Sequence, residues 1–215
     1  EVSPVLEVVG GGKVILEKEK DKMIEAGRGV DVQQSSGMLV YSDSVVSEYV
    51  DTNVLRIPKG GEFKLQLADG TRVYLNSATD LRYPVAFTGP ERRVYLKGEA
   101  YFDVTKSKEW PFIVRTCRSS VKVLGTSFNV CSYEEDSLEQ VTLEQGGVEV
   151  KHHDETYRLH PGEQFELDTT NEEIEVKPVN VKLYTSWIDG MFRFHNMPLD
   201  LLTVKLERWY DVHLS

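Results

Sequence analysis

Between residues 5 and 179, Val, Ile, Leu, Tyr, Phe and Thr alternate with polar residues at a period of two, and Gly-Gly, Asp-Gly, Thr-Gly-Pro and Pro-Gly pairs interrupt them. Side chains on a strand project alternately to its two faces, so this period specifies half-buried strands and the breakers specify their ends. Beyond residue 56 the pattern predicts the pair 63–67 and 73–75, then short strands at 93–96, 100–104, 112–116, 120–124, 127–133, 140–143, 148–152, 157–159, 164–167 and 173–177. Short strands at this spacing make a mainly β chain with a large all-β domain, arranged as a β-roll, sandwich or solenoid. The tract 18–26 has only Met23, Ile24 and Ala26 as apolar positions, too few for a buried helical stripe, and reads as loop or a single turn.

One hairpin can be set in register. Phe63, Leu65 and Leu67 alternate with polar residues before Ala68-Asp69-Gly70. A two-residue Asp-Gly loop would put Leu65 opposite Tyr74 and Leu67 opposite Arg72. A three-residue loop with Gly70 in the left-handed region pairs Leu65 with Val73 and Phe63 with Leu75, keeping the apolar side chains on one face.

After Pro178 the pattern changes. Trp187, Phe192 and Phe194 read as a short aromatic strand with a turn at Gly190. Leu199, Leu202, Leu206, Trp209 and Tyr210 then recur at three and four residues, the spacing of an amphipathic helix, with Asn196 as N-cap and Pro198 in the first turn. Residues 211–215 read as the start of another strand, so a small partial β-α-β module follows the large domain. The expected divisions are an N-terminal β segment at 1–56, the all-β domain at 57–179 and the small module at 180–215.

Twenty-five basic and thirty-five acidic residues give a net charge of −10, which disfavours nucleic acid and anionic lipid as partners. The apolar runs are too short for a membrane span. The chain opens at Glu1 without the pattern of a signal peptide, so any leader or membrane anchor is expected outside this sequence. Cys117 and Cys131 are the only cysteines, and thirteen intervening residues leave a disulfide and two free thiols both open.

No reacting constellation stands out. Leu124-Gly-Thr-Ser-Phe128 lacks a nucleophile elbow. Glu62, Glu99, Asp103, Glu144 and Glu163 lie beside strand ends and read as solvated surface. His152 and His153 are consecutive, so on a regular strand they face opposite ways and share no ion without a bend. No metal and no cofactor is expected. Gly70, Gly98, Gly125 and Gly162 read as points of strand reversal.

Seven stretches carry a family resemblance: Pro58-Lys-Gly-Gly-Glu-Phe63, Leu67-Ala-Asp-Gly-Thr-Arg-Val-Tyr-Leu-Asn76, Tyr83-Pro-Val-Ala-Phe87, Val94-Tyr-Leu-Lys-Gly-Glu-Ala-Tyr-Phe-Asp-Val104, Pro111-Phe-Ile-Val-Arg115, Leu124-Gly-Thr-Ser-Phe-Asn-Val130 and Pro161-Gly-Glu-Gln164. In this order they resemble the FecR family, and the tail resembles the C-terminal module of Bacteroidetes-type members, similar to the secretin and TonB short N-terminal fold. The resemblance implies the periplasmic region of a single-span inner-membrane anti-sigma regulator, without catalytic activity. The implied partner is the N-terminal signalling domain of an outer-membrane TonB-dependent transporter. A sigma factor would be contacted only through a cytoplasmic segment that this chain lacks, and a second β-α-β half would complete the small module. Phe192, Tyr210, Val212 and Leu214 are the candidate partner interface, with 211–215 offering a strand edge. The alternative is a carbohydrate-binding or carbohydrate-degrading β-roll, and a structural β-domain of an envelope assembly is a third reading.

Overall fold

A computed structural model of the chain describes residues 3–8, 10, 12–17, 20–27, 29–42 and 51–213. Their strands are β1 (Val5–Val8), β2 (Gly12–Ile15), β3 (Lys22–Glu25), β4 (Asp31–Ser35), β5 (Met38–Val40), β6 (Thr52–Ile57), β7 (Phe63–Gln66), β8 (Arg72–Leu75), β9 (Thr79–Pro84), β10 (Arg92–Asp103), β11 (Phe112–Arg115), β12 (Ser120–Val123), β13 (Ser127–Ser132), β14 (Leu138–Gln145), β15 (Val148–His152), β16 (Glu155–Leu159), β17 (Glu163–Asp168) and β18 (Glu173–Pro178). Helix α1 (Lys182–Thr185), a 3-10 turn (Ser186–Asp189) and helix α2 (Leu199–Tyr210) follow. The mainly β architecture is the expected one.

The strands form two sheets that share β10. The first runs β2-β1-β6-β9-β10-β11-β12-β15-β16. The second runs β3-β4-β5-β7-β8-β10-β13-β14-β17-β18. From β11 onward the chain lays hairpins alternately on one sheet and the other. Pairing is antiparallel except for β5 with β7 and β10 with β11. Between the sheets lies a continuous apolar core that includes Leu55, Leu65, Val73, Leu96, Phe102, Phe112, Phe128, Val141 and Phe165.

The β7–β8 register is the predicted one, Leu65 opposite Val73 and Phe63 opposite Leu75. Gly70 has φ 82° and its N–H donates to the Leu67 carbonyl at 2.9 Å, the left-handed position that a three-residue loop needs. Strands 93–96 and 100–104, expected as separate, are one twelve-residue strand. Gly98 therefore does not reverse the chain. At φ 114° it bends β10 so that Tyr95–Lys97 pair with β9 in the first sheet and Ala100–Asp103 pair with β8 in the second. Thr79 closes around the bend, its Oγ1 accepting from the Glu99 N–H at 3.0 Å.

The tract expected as loop at 18–26 contains β3, because pairing with β4 supplies the partner that its own composition lacks. The terminal module departs further. Trp187 lies in the 3-10 turn, Phe192 and Phe194 lie in irregular chain, and residues 211–213 form no strand. Only the helix of the expected β-α-β unit is present among the described residues. Pro198, not Asn196, precedes its first residue, and no side chain caps it. Both cysteines are free, Cys117 exposed and Cys131 buried.

Candidate functional site at the junction of the second sheet and the C-terminal helices

Strand β13 is buried on both faces. Phe128 and Val130 point into the core, whereas Asn129 and Cys131 point outward and are nonetheless shielded. The C-terminal helical segment covers them. Trp187, itself buried, donates its indole N–H to Asn129 Oδ1 at 3.2 Å. Burial pushes the Cys131 thiol well above its usual pKa, consistent with an inert core position.

Beneath this cover, three polar residues from separate strand regions meet. Asn76, just after β8, donates from Nδ2 to Glu99 Oε2 at 2.8 Å, and Asn129 donates from Nδ2 to Glu99 Oε1 at 2.9 Å. Both oxygens of Glu99 are thus held, and it is not a freely solvated carboxylate. Lys205 of α2 lines the same cavity with Glu99, Tyr133, Trp187, Phe192 and Trp209. Burial opposes the charge of Lys205, but nearby acidic groups, Glu99 and Asp136 among them, prevail and raise its pKa. The cavity measures about 70 Å³. Small-molecule sites span roughly 300 to 1,000 Å³, so this space suits a few waters rather than a nutrient.

Arg208 fastens α2 to the sheet. Its guanidinium sits 3.4 Å from the Tyr133 ring centroid and donates to both Asp136 oxygens, at 2.7 and 3.2 Å, and to Glu135 Oε1 at 3.1 Å. Burial works against the charge, yet the Asp136 hydrogen bonds and nearby acidic groups raise the pKa of Arg208 above its ordinary value. The β6–β7 loop meets the end of the helix, where the Gly60 N–H donates to the Arg208 carbonyl at 3.0 Å. At φ 71°, with a Cβ there lying 3.2 Å from Asp211 Cβ, Gly60 occupies a place where a side chain would be strained.

The outer side of this module is apolar and uncovered. Leu199 is 77% exposed and Tyr210 is 62% exposed, and Met191, Phe194, Val204 and Val212 of the same segment are exposed as well. Phe192 is half-buried, its ring 5.4 Å from that of Trp209 and 5.9 Å from that of Phe194. Of the four candidate interface residues, Phe192, Tyr210 and Val212 therefore belong to one segment, with Tyr210 and Val212 on its surface. Leu214 lies outside the described residues. Since residues 211–213 form no strand, the expected strand edge is not formed among them.

Sequence reading passed over Asn76, Asn129, Tyr133 and Arg208. A signal for two of them existed: Asn is disfavoured within or beside strands rich in Val, Tyr and Phe, so Asn76 and Asn129 marked positions with a specific partner. Among the remaining carboxylates, Glu144 accepts from the Tyr101 hydroxyl at 2.5 Å, and Asp103 pairs with Arg72 at 2.7 Å. Among the described residues no helix is long and apolar enough to cross a membrane.

The model of the FecR protein family matches residues 53–149, which span β6 through the start of β15. Two crystal structures of a protein from Parabacteroides distasonis, described as a proposed anti-sigma factor, superimpose with TM-scores of 0.73 and 0.72. Both are 40% identical to this chain and cover 74% of it, and the match covers 75% and 74% of their own chains. No curated protein matches. Asn76, Glu99 and Asn129, which form the floor of the junction, all lie within the matched span, and the chain belongs to the FecR family of anti-sigma regulators.

Proposed function

We propose that this chain is the periplasmic sensor region of an inner-membrane anti-sigma regulator, which relays occupancy of an outer-membrane TonB-dependent transporter to a cytoplasmic sigma factor by protein contact. The sigma factor is reached through a cytoplasmic segment outside this chain. The observation that carries the reading is the incomplete burial of α2. Arg208 is its one buried residue, while Leu199 and Tyr210 stand in solvent on the far side of a helix fixed to the main domain. Aromatic and aliphatic groups grouped on a rigid support suit a protein partner, and the junction cavity is too small to receive a nutrient directly.

In this mechanism the partner's signalling domain binds the apolar face of the C-terminal segment, and the Arg208–Asp136 contact transmits the change to the second sheet. The chain acts as a binding and relay module without chemistry of its own. Calorimetry of a TonB-dependent transporter's N-terminal signalling domain against this chain tests the reading. Leu199→Glu combined with Tyr210→Ala is expected to weaken binding at least ~30-fold, corresponding to about 2 kcal/mol. Equal affinity for the double variant would remove this surface from the mechanism. Absence of binding to the signalling domain of every such transporter from the same cell would overturn the relay itself.

A further inference from the structure

Where two hairpin turns meet, three side chains that play no part in the junction converge. His152 and His153 lie where β15 turns into β16, and Glu172 lies in the turn between β17 and β18. On a regular strand the two histidines would point apart, as the sequence reading had it. His153 instead adopts φ 50°, which brings its ring beside that of His152 with centroids 4.2 Å apart. Glu172 Oε2 lies 3.0 Å from His152 Nε2 and 3.7 Å from His153 Nε2, and the three atoms all lie within 4.8 Å of one another. A tetrahedral zinc ion bound at roughly 2.0 to 2.2 Å places its ligand atoms about 3.4 Å apart, so little adjustment separates this triangle from a coordinating set.

The other nitrogen of His152 strengthens the case. Its Nδ1 lies 3.0 Å from the carbonyl oxygen of Arg118. A carbonyl only accepts, so Nδ1 carries a hydrogen and Nε2 is the ring nitrogen that faces the carboxylate. That 3.0 Å contact is bridged by a proton when no metal is bound and by the metal ion when one is, and a backbone carbonyl on the opposite nitrogen is how a metal-binding histidine is oriented. The carbonyl is itself fixed. The Arg118 N–H donates to Thr116 Oγ1 at 3.2 Å, its guanidinium donates to the Tyr133 and Glu134 carbonyls, and Thr116 Oγ1 donates to buried Glu139 at 2.9 Å.

We propose that His152, His153 and Glu172 bind a divalent transition-metal ion of the zinc type, with water completing the coordination. Two imidazoles and one carboxylate favour zinc, nickel or copper over magnesium or calcium. The histidines belong to a hairpin of the first sheet and Glu172 to a hairpin of the second, so the ion would clasp the two sheets near their free edges. His153 and Glu172 are exposed, which opens the site to ions in solvent, whereas His152 is buried and preset.

The test is calorimetric titration of the metal-stripped chain with zinc chloride, alongside magnesium chloride. One equivalent of zinc should bind with a dissociation constant in the micromolar range or below, magnesium should not bind, and the melting temperature should rise with zinc. His153→Ala and Glu172→Gln alter exposed side chains, so both should fold as the parent does in EDTA and each should weaken zinc binding at least ~30-fold. His160→Ala, which removes another exposed histidine, should bind as the parent does. Cobalt in place of zinc should give the visible absorption of a low-coordinate site in the parent and lose it in His153→Ala. No binding at millimolar zinc, equal binding of magnesium, or unchanged affinity in both site variants would overturn the proposal.

Discussion

Arg208 and the pair Tyr41 and Tyr83 show how single buried groups set the behaviour of whole segments here. Truncating Arg208 to Ala strips Asp136 of a bidentate partner and uncovers the Tyr133 ring. The expected cost is about 2 to 4 kcal/mol, confined to the attachment of α2. Amide hydrogen exchange checks this: protection should fall across 190–210 while β13 and β14 keep theirs. Global unfolding or no change at all would contradict it. Tyr41 and Tyr83 meet through their hydroxyls at 3.1 Å, and Asn53 donates to Tyr41 at 2.7 Å. Burial raises the Tyr41 pKa to about 12 and carries that of Tyr83 well above its usual value. Because the folded values exceed the unfolded value of about 10, their contribution to stability is complete below pH ~10 and is lost as pH rises through ~12, at up to ~1.4 kcal/mol per pH unit for each phenol. In an alkaline titration followed by phenolate absorbance, these two groups should ionise only as the sheets unfold. Reversible ionisation of all ten tyrosines with the fold intact would contradict that assignment.

Among the elements, β10 is the one on which both sheets depend. A Cβ at residue 98 would lie 2.8 Å from Thr79 Cα, at a φ that side chains rarely adopt. Gly98→Ala is therefore expected to cost about 3 kcal/mol or more, seen as a lower urea midpoint with an unchanged slope. The same glycine explains why β10 reads as two strands in the sequence: local pattern does not distinguish a residue that reverses the chain from one that bends it between sheets. By contrast, β7 and β8 were legible to the residue, because alternation and a three-residue turn admit one register that keeps Phe63, Leu65, Val73 and Leu75 together. The aromatic alternation of Trp187, Phe192 and Phe194 misled for a physical reason. Trp187 is held by Asn129 and Phe192 by Trp209, with Phe194 beside Phe192, rather than by strand partners. His152 and His153 were likewise separated on paper by strand geometry, which a single left-handed residue suspends.

Across the whole molecule, the stretches that identify the family are mostly architectural. Gly70, Gly98 and the turn at Gly162 shape the sheets, and of the matched polar residues Asn76, Glu99 and Asn129 meet only because the sheet brings together positions 23 and 30 residues apart in sequence. Fold class and family were therefore readable from the chain, whereas the junction required the register of β8, β10 and β13 in three dimensions. The alternating hairpins have a mechanical consequence. Among the described strands β18 is paired with β17 alone, with Pro178 opposite Glu163 at the open end and Glu173 opposite Asp168 at the closed end. The C-terminal segment leaves from the open end. Once the Arg208 clamp has given way, a pull arriving through α2 would thus load that hairpin as one loads a zipper at its tab, each rung bearing the tension in turn, with Glu172 among the last residues the force would reach.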